Sequence, residues 1–258
     1  MTFAVPVDVY DRFVGRYSYA LCEALAEAAG ITASSSVLDV GAGTGAGTRR
    51  LVDLVGAERV AAVEPTESFV AGLRARCPGV DVRLASAESL PFEDDAFDAA
   101  MAQLVLNFMG DPETGVAEMR RVSRPGGCVA ASVWDYPGEM TLLRAFWDAA
   151  SALDPDGVQA ADERTGMRFG RRGELGELWR QAGLAEVEEG EIVVSAEYES
   201  FDDLWDPFPA GVGPAGSYAA SLDQEGQEAL KAEYRRLLAV PDGAFRLSAR
   251  AWYAVGKA

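Results

Sequence analysis

Histidine is absent from the 258 residues. That removes His-based catalytic triads, imidazole metal sites and the commonest general base. Any proton transfer falls to Asp, Glu, Tyr, Lys, Cys or water. Cysteine is scarce: Cys22, Cys77 and Cys128 are scattered and odd in number. The pattern argues against a disulfide frame or a Cys-rich metal site, so a reduced, cytoplasmic protein without a metal is expected. Basic residues are few, with 23 Lys and Arg against 41 Asp and Glu and a net charge of −18. Such a surface repels phosphate backbones and anionic membranes, so neither is expected as a partner. The one dense basic run, Arg164, Arg168, Arg171 and Arg172, reads as a solvated face. No apolar stretch is long enough to span a bilayer. The N-terminal Met1 to Asp8 lacks the basic and apolar regions of a signal peptide, so none is expected. With 49% hydrophobic residues, the length allows one sizeable core, or a core with a small cap.

The chain is organised around Val37-Leu38-Asp39-Val40-Gly41-Ala42-Gly43-Thr44-Gly45-Ala46-Gly47. A short apolar run reads as a buried parallel strand. Glycines follow at alternate positions, and Leu51, Val52 and Val55 then recur at helical spacing. Strand, glycine turn and helix together present backbone N–H groups to a ligand at a helix N-terminus. Two acids sharpen the reading. Asp39 lies within the strand, where a carboxylate is costly to bury without a partner. Glu64 ends the next apolar run, placed to accept two hydrogen bonds from a ribose diol. The ligand sketched carries a ribose and a positive charge. S-adenosylmethionine (SAM), with its ammonium and sulfonium, fits; NAD fits less well, because its pyrophosphate should avoid Asp39.

Residues from about 8 to 29 read as a helix with Tyr10, Phe13, Val14, Tyr17, Leu21 and Leu25 on one face. Thr66 reads as an N-cap before Phe69, Val70 and Leu73. Further strands are expected at Val80 to Leu84, Phe97 to Ala102 and Cys128 to Val133, with a tight turn at Arg124-Pro125-Gly126-Gly127. Alternating strands and helices imply a parallel, doubly wound α/β sheet whose ligand binds outside the carboxyl ends of the strands. Later, Leu142 to Ala152 and Leu175 to Ala182 read as helices, Asp154 to Arg172 as a charged loop, and Val187 to Ala196 and Phe245 to Val255 as strands. There is no internal repeat and no linker. A single domain over 1–258 is expected, with a cofactor-binding core at 35–135 and cap segments at 1–30 and 198–243.

The motifs Val37-Leu38-Asp39-Val40-Gly41-Ala42-Gly43-Thr44-Gly45, Ala87-Glu88-Ser89-Leu90-Pro91-Phe92, Phe97-Asp98 and Arg121-Val122-Ser123-Arg124-Pro125-Gly126-Gly127 occur in this order. Together they resemble the class I SAM-dependent methyltransferases, in particular the small-molecule branch that includes ubiquinone and menaquinone C-methyltransferases. The resemblance implies a Rossmann-like, doubly wound seven-stranded sheet, mostly parallel with a C-terminal antiparallel hairpin. It implies SAM as cofactor and S-adenosylhomocysteine as product. Gly41 and Gly43, with Ala42 and Thr44 between and beside them, would lie against the methionine part, and Asp39 would help hold it. Glu64, followed by Pro65, would take the ribose hydroxyls. Ser86, Ala87 and Glu88 would meet the adenine edge, although the family often has Asp where this chain has Ser86. Gln103 would flank the methionine end. Apart from the resemblance, Tyr10, Arg16 and Tyr17 are polar-tipped residues ahead of the glycine turn that could close over the ligand. The Asn/Asp-Pro-Pro-aromatic motif of methyltransferases acting on DNA amino groups is absent.

Methyl transfer from a sulfonium is an in-line displacement in which positioning supplies much of the effect. An acceptor pocket is expected from Tyr10, Tyr17, Asn107, Phe108, Trp134, Trp205 and Tyr218, which fall near strand ends or in the covering segments. No catalytic residue is fixed; Asp135 and Tyr17 are the candidates, and Glu139 could also act as a base. A small neutral acceptor and a monomer or homodimer are expected. Two alternatives stand beside this reading. A protein of the same fold could bind SAM without methylating. An NAD-dependent oxidoreductase has Gly41-x-Gly43-x-x-Ala46 and Glu64 in its favour. Against it stand Asp39, the Leu90-Pro91-Phe92 motif and the lack of a histidine catalytic group.

Overall fold

The computed structural model describes residues 12–258. Tyr10 and the first part of the expected N-terminal helix lie outside the described residues. Seven strands form one sheet: β1 (Val37–Val40), β2 (Val60–Glu64), β3 (Asp81–Leu84), β4 (Phe97–Gln103), β5 (Ser123–Trp134), β6 (Ala185–Tyr198) and β7 (Phe245–Lys257). Their order is β3-β2-β1-β4-β5-β7-β6. The first five pair in parallel, and β7 runs antiparallel to β5. This is the Rossmann-like, doubly wound sheet with antiparallel C-terminal strands that the motifs imply.

The chain divides into two compact units. The first comprises Ser18–Trp134, Arg171–Ile192 and Ala251–Ala258. It holds β1 to β5 and the helices α1 (Gly15–Ala28, from Ser18 on), α2 (Ala46–Val55), α3 (Glu67–Arg76) and α4 (Pro112–Val122). β1 and β2 are buried at every position, which is why their sequences are apolar apart from Asp39 and Glu64. Strand order reverses between β1 and β4, and sheets of this kind bind their ligands outside the carboxyl ends of the strands at such a reversal. α4 starts where Asp111 accepts the Thr114 N–H at 3.0 Å, with Pro112 in the first turn. At α3 the expected cap differs. Thr66 holds the N-cap position without a side-chain bond, and its own N–H donates to Glu64 Oε1 at 3.0 Å.

The Arg-Pro-Gly-Gly turn proves to be a bulge inside β5. Phe97 pairs with Ser123 and Ala99 with Cys128, so the stretch around Gly126 (φ +80°) is looped out of register. The preceding Arg121 joins two of the sequence motifs. Its guanidinium donates to Leu90 O at 3.0 Å and Phe92 O at 2.9 Å, and pairs with Glu118 at 2.6 Å. Glu118 in turn accepts the Leu90 N–H at 2.9 Å. Arg121 thus ties the Leu90-Pro91-Phe92 connection to α4.

The second unit comprises residues up to Tyr17, Asp135–Gly170 and Val193–Arg250. It contains α5 (Thr141–Leu153), α6 (Glu163–Gly166), α8 (Phe201–Trp205), α9 (Gly213–Ser221) and α10 (Gln224–Leu238); α7 (Glu174–Gln181) belongs to the first unit. Its core is aromatic. Phe146 stacks on Phe208 at 4.4 Å, and Tyr234 stands edge-on to Phe208 at 5.6 Å. The Tyr234 hydroxyl donates to Leu142 O at 3.1 Å. The sequence from 154 to 172, read as a charged loop, contains α6 and two surprises. Arg164 is not on a solvated basic face: its side chain is 19% exposed, paired with Asp162 at 2.6 Å and with Asp148, and bonded to Ser151 at 2.9 Å. Glu163 is buried, accepting the Trp147 indole N–H at 3.1 Å.

Burial raises the Glu163 carboxyl from 4.5 to about 7, partly offset by the bonds from Trp147 and the Ala215 backbone. A raised acid holds its proton in the folded state after the unfolded chain has lost it. Its contribution therefore falls as pH rises through the window from 4.5 to about 7. Urea unfolding at pH 5 and pH 8 is expected to show this loss in the wild type, and Glu163→Gln should reduce it by on the order of 2 kcal/mol. Equal pH slopes for the two proteins would contradict the assignment. For Arg121→Ala, denaturant unfolding should show a loss of about 1–3 kcal/mol, mostly from the two orphaned carbonyls and Glu118. Arg121→Lys should recover less than half, because an ammonium cannot reach Leu90 O, Phe92 O, Glu118 and Asp94 together.

Candidate cofactor site

The site grows from β1. Asp39 pairs in register with Ala62 of β2 and Met101 of β4. Period-two alternation then places Glu64 and Gln103, each two residues further on, on the same sheet face as Asp39. The glycine turn leaves β1 and is folded onto β2: Gly41 and Ala42 donate to Val63 O at 2.9 and 3.0 Å. Gly43 N–H donates to Glu64 Oε2 at 3.0 Å, and Gly45 N–H to Ala42 O at 2.9 Å. Four N–H groups of the turn are therefore consumed within the protein. The expectation that this turn offers its amides to a ligand is corrected for these four. The same bonds leave little here for a pyrophosphate. Arg76 donates to Thr44 O at 3.1 Å and anchors the turn to α3.

Gly41 is required by a neighbour. At φ +73° a Cβ there would overlap the Val105 side chain, lying 2.9 Å from its Cβ. Gly43 differs: at φ +55° a Cβ would meet nothing within 4 Å. Close ligand approach, inferred from sequence for the glycines in general, therefore suits Gly43, whereas Gly41 answers to Val105.

Each acid is held from a known side. Glu64 is 5% exposed, and its two oxygens accept Gly43 N–H and Thr66 N–H. A carboxylate has lone pairs for two further donors. Asp39, also 5% exposed, accepts the Thr48 hydroxyl at 2.6 Å. Burial, and then the nearby Glu64, raise its carboxyl from 3.8 to about 6, against the lowering effect of the Thr48 bond. Gln103 donates its amide to Ser18 O at 3.0 Å, leaving Oε1 buried without a protein partner. An open glycine surface, an acid pair and an orphaned acceptor fit a ligand with hydroxyls and positive charge.

The other candidates divide. Ser86 and Glu88 are half-buried beyond β3, and Ala87 is buried. Glu88 is spoken for by the Asp111 N–H at 3.2 Å and by the Gly110 backbone. Burial pushes its carboxyl up, but these bonds outweigh that and hold it below the usual range. Ala42 is half-buried, Thr44 buried and Pro65 exposed. Asn107 is buried and Phe108 half-buried in a 3-10 turn after β4, and Trp134 is buried at the end of β5. These residues share the first unit with the glycine turn. Tyr17, Trp205, Tyr218, Asp135 and Glu139 belong to the second.

There Trp205 is 5% exposed, 5.8 Å from Phe208. Tyr218 stands 5.6 Å from Trp147. Asp135 is locked to Arg250 at 2.7 Å and accepts the Glu139 N–H at 2.8 Å. Tyr17 bonds the Tyr198 hydroxyl at 3.2 Å, and burial pushes its phenol to about 12. Sequence reasoning missed Thr48, Val105 and Arg76. Only Thr48 left a signal, as a hydroxyl among the apolar positions of the helix after the turn.

A methyltransferase-domain family model matches residues 38–131. A protein of Mycolicibacterium smegmatis named a probable S-adenosylmethionine-dependent methyltransferase is 31% identical over 189 residues, 67% of this chain and 68% of that one. Malonyl-acyl-carrier-protein O-methyltransferase of Halorhodospira halophila is 27% identical over 213 residues, covering 80% and 68%. The chain spans about half the length of other relatives. One is a demethylmenaquinone methyltransferase of Renibacterium salmoninarum, 34% identical over 111 residues, 43% of this chain and 46% of that one. Among solved structures, the YcgJ protein of Bacillus subtilis superposes with a TM-score of 0.57 at 17% identity over 93% of this chain and 99% of its own. The chain belongs to the S-adenosylmethionine-dependent methyltransferases.

Gly41→Ala is expected to destabilise the fold by about 2 kcal/mol or more, through overlap and strain. Adding Val105→Ala should return roughly half of that in thermal unfolding, since the overlap is relieved and the strain is not. Full additivity of the two losses would show that Val105 is not the obstacle.

Proposed function

We propose that the chain moves the methyl group of S-adenosylmethionine to a small-molecule acceptor by in-line displacement. The carrying observation is the pairing of acids and turn at the ends of β1 and β2. Glu64 and Asp39 face a turn whose own N–H groups are largely satisfied internally, which suits a ribose and a cation better than a diphosphate. Glu64 would take the ribose hydroxyls, oriented by Gly43 and Thr66. Gly43 would let the methionyl part approach. Gln103 Oε1 would accept from the ammonium, and Asp39 would balance positive charge. Ser86, Ala87 and Glu88 would border the adenine, with Ala42, Thr44 and Pro65 completing the surroundings within this unit; Tyr17, in the second unit, is a candidate by sequence alone. When bound, the cofactor supplies an activated methyl group on a sulfonium.

The protein's own part is to align and desolvate. None of the three base candidates is poised: Asp135 and Glu139 are both paired with Arg250, at 2.7 and 3.2 Å, and the Tyr17 phenol is raised to about 12. An acceptor whose nucleophile needs no strong base is the consistent choice. The relatives named for demethylmenaquinone and for malonyl-acyl-carrier protein support a small organic acceptor group. Asn107, Phe108 and Trp134 are the acceptor-side candidates within the first unit, and Trp205 and Tyr218 are separate candidates within the second. The charge of −18 disfavours nucleic acid, and among the described residues no helix is long and apolar enough to cross a membrane. Three free, buried cysteines suit the cytoplasm.

Titration calorimetry with S-adenosylhomocysteine is the test, with NAD in parallel. Micromolar binding of the first alone is expected, weakened about 10- to 100-fold by Glu64→Ala. Heat with NAD alone would sink the reading.

A further inference from the structure

The carboxyl end of β1 gathers oxygen acceptors with too few donors. Asp39 is buried, and its one recorded hydrogen bond comes from the neutral Thr48 hydroxyl at 2.6 Å. Across Gly47 it faces two further groups. A Cβ on that glycine would stand 3.7 Å from Asp39 Oδ2, 3.8 Å from Gln103 Oε1 and 3.8 Å from Cys22 Sγ. The Cys22 thiol is turned to Gly47 O at 3.4 Å, and Gln103 Oε1 has no protein partner. The groups within electrostatic reach are Cys22 of α1, Glu64 of β2 and Cys77 at the end of α3. Burial raises both thiols, so they stay neutral, and Glu64 can add only negative charge. Among the described residues no arginine or lysine pairs with Asp39. A carboxylate buried against acceptors and a second acid is uncompensated, in keeping with a carboxyl raised to about 6.

We propose that cofactor capture is coupled to deprotonation of Asp39. In mildly acidic conditions the cofactor-free site carries the neutral acid; binding the cationic cofactor breaks the carboxyl O–H bond, leaves the electron pair on Asp39 and releases the proton to solvent. This rests on the methyltransferase reading above and adds to it a pH-dependent affinity. The sign follows from linkage: a ligand cation stabilises the carboxylate, so affinity is full above the carboxyl's own titration and falls as pH drops through it. Thr48, whose hydroxyl also favours the carboxylate, sets the pH at which the change occurs.

Titration calorimetry of the full chain with S-adenosylmethionine, at pH 5.5 and 7.5 and in two buffers of different ionisation heat, tests the coupling. Affinity should be about fourfold weaker at pH 5.5, with about 0.7 proton released per cofactor there and almost none at pH 7.5. Asp39→Asn should bind with a heat independent of buffer. Thr48→Val, which keeps the acid and removes its donor, should raise proton release at pH 6.5. Glu163→Gln, in the other compact unit, should leave the release as in the wild type. Buffer-independent heat from the wild type at pH 5.5 would overturn the coupling while leaving the cofactor assignment intact. So would release that persists in Asp39→Asn or is unmoved by Thr48→Val. Failure of the wild type to bind at either pH would remove the methyltransferase reading and this inference together.

Discussion

The Glu64 carboxylate clasps the glycine turn: one oxygen accepts Gly43 N–H and the other Thr66 N–H. With Gly41 and Ala42 both on Val63 O, the turn is fastened to β2 rather than left as a free loop. The groups of the candidate cofactor site are placed relative to that clasp. It aims the open face of Gly43 outward, fixes the start of α3, and brings a second acid close to Asp39. The electrostatic character of the site is a by-product of the way the turn is held. Donors that could have neutralised the acids are few, because the turn spends its amides on closing itself.

The sequence was most legible where one residue type has one physical use. Asp39 and Glu64 stood out because acids interrupt runs that are otherwise wholly apolar, and the alternation of such runs with helical spacing defined the doubly wound sheet. Legibility failed where a residue's role depends on a partner far away in the chain. Val105 dictates Gly41 from the far side of β4, and nothing local to either position says so. Arg164 looked like one cation in a basic run, yet Asp148 and Asp162 enclose it. Glu163 sat in a stretch read as a charged loop, and only folding places it against Trp147. The bulge in β5 looked like a turn because glycine and proline punctuate both, and only strand register tells them apart.

The motifs that carry the family resemblance are also physically coupled. Arg121 holds the carbonyls of Leu90 and Phe92, and Glu118 holds both the arginine and the Leu90 amide. Two stretches some thirty residues apart are thus two halves of one hydrogen-bonded joint, positioned beside the Ser86 to Glu88 segment. The aromatic unit follows a different logic. Its side chains satisfy one another, with Tyr234 capped by Leu142 O and Phe146 stacked on Phe208, so Trp205 and Tyr218 have packing partners whatever their part in acceptor recognition.

The place of β7 between β5 and β6 has a bearing on how the chain is made. β5 ends at Trp134, yet the neighbour that completes its ladder is Phe245–Lys257. During synthesis, β5 must wait for more than a hundred further residues with one side of its backbone unpaired. Such an open edge is a template for wrong partners, and loop closure over that span is slow. The nascent protein therefore passes through a stage in which five strands can already be assembled while an apolar edge stays exposed. The last strand acts as a late seal that ends the risk of intermolecular pairing at β5.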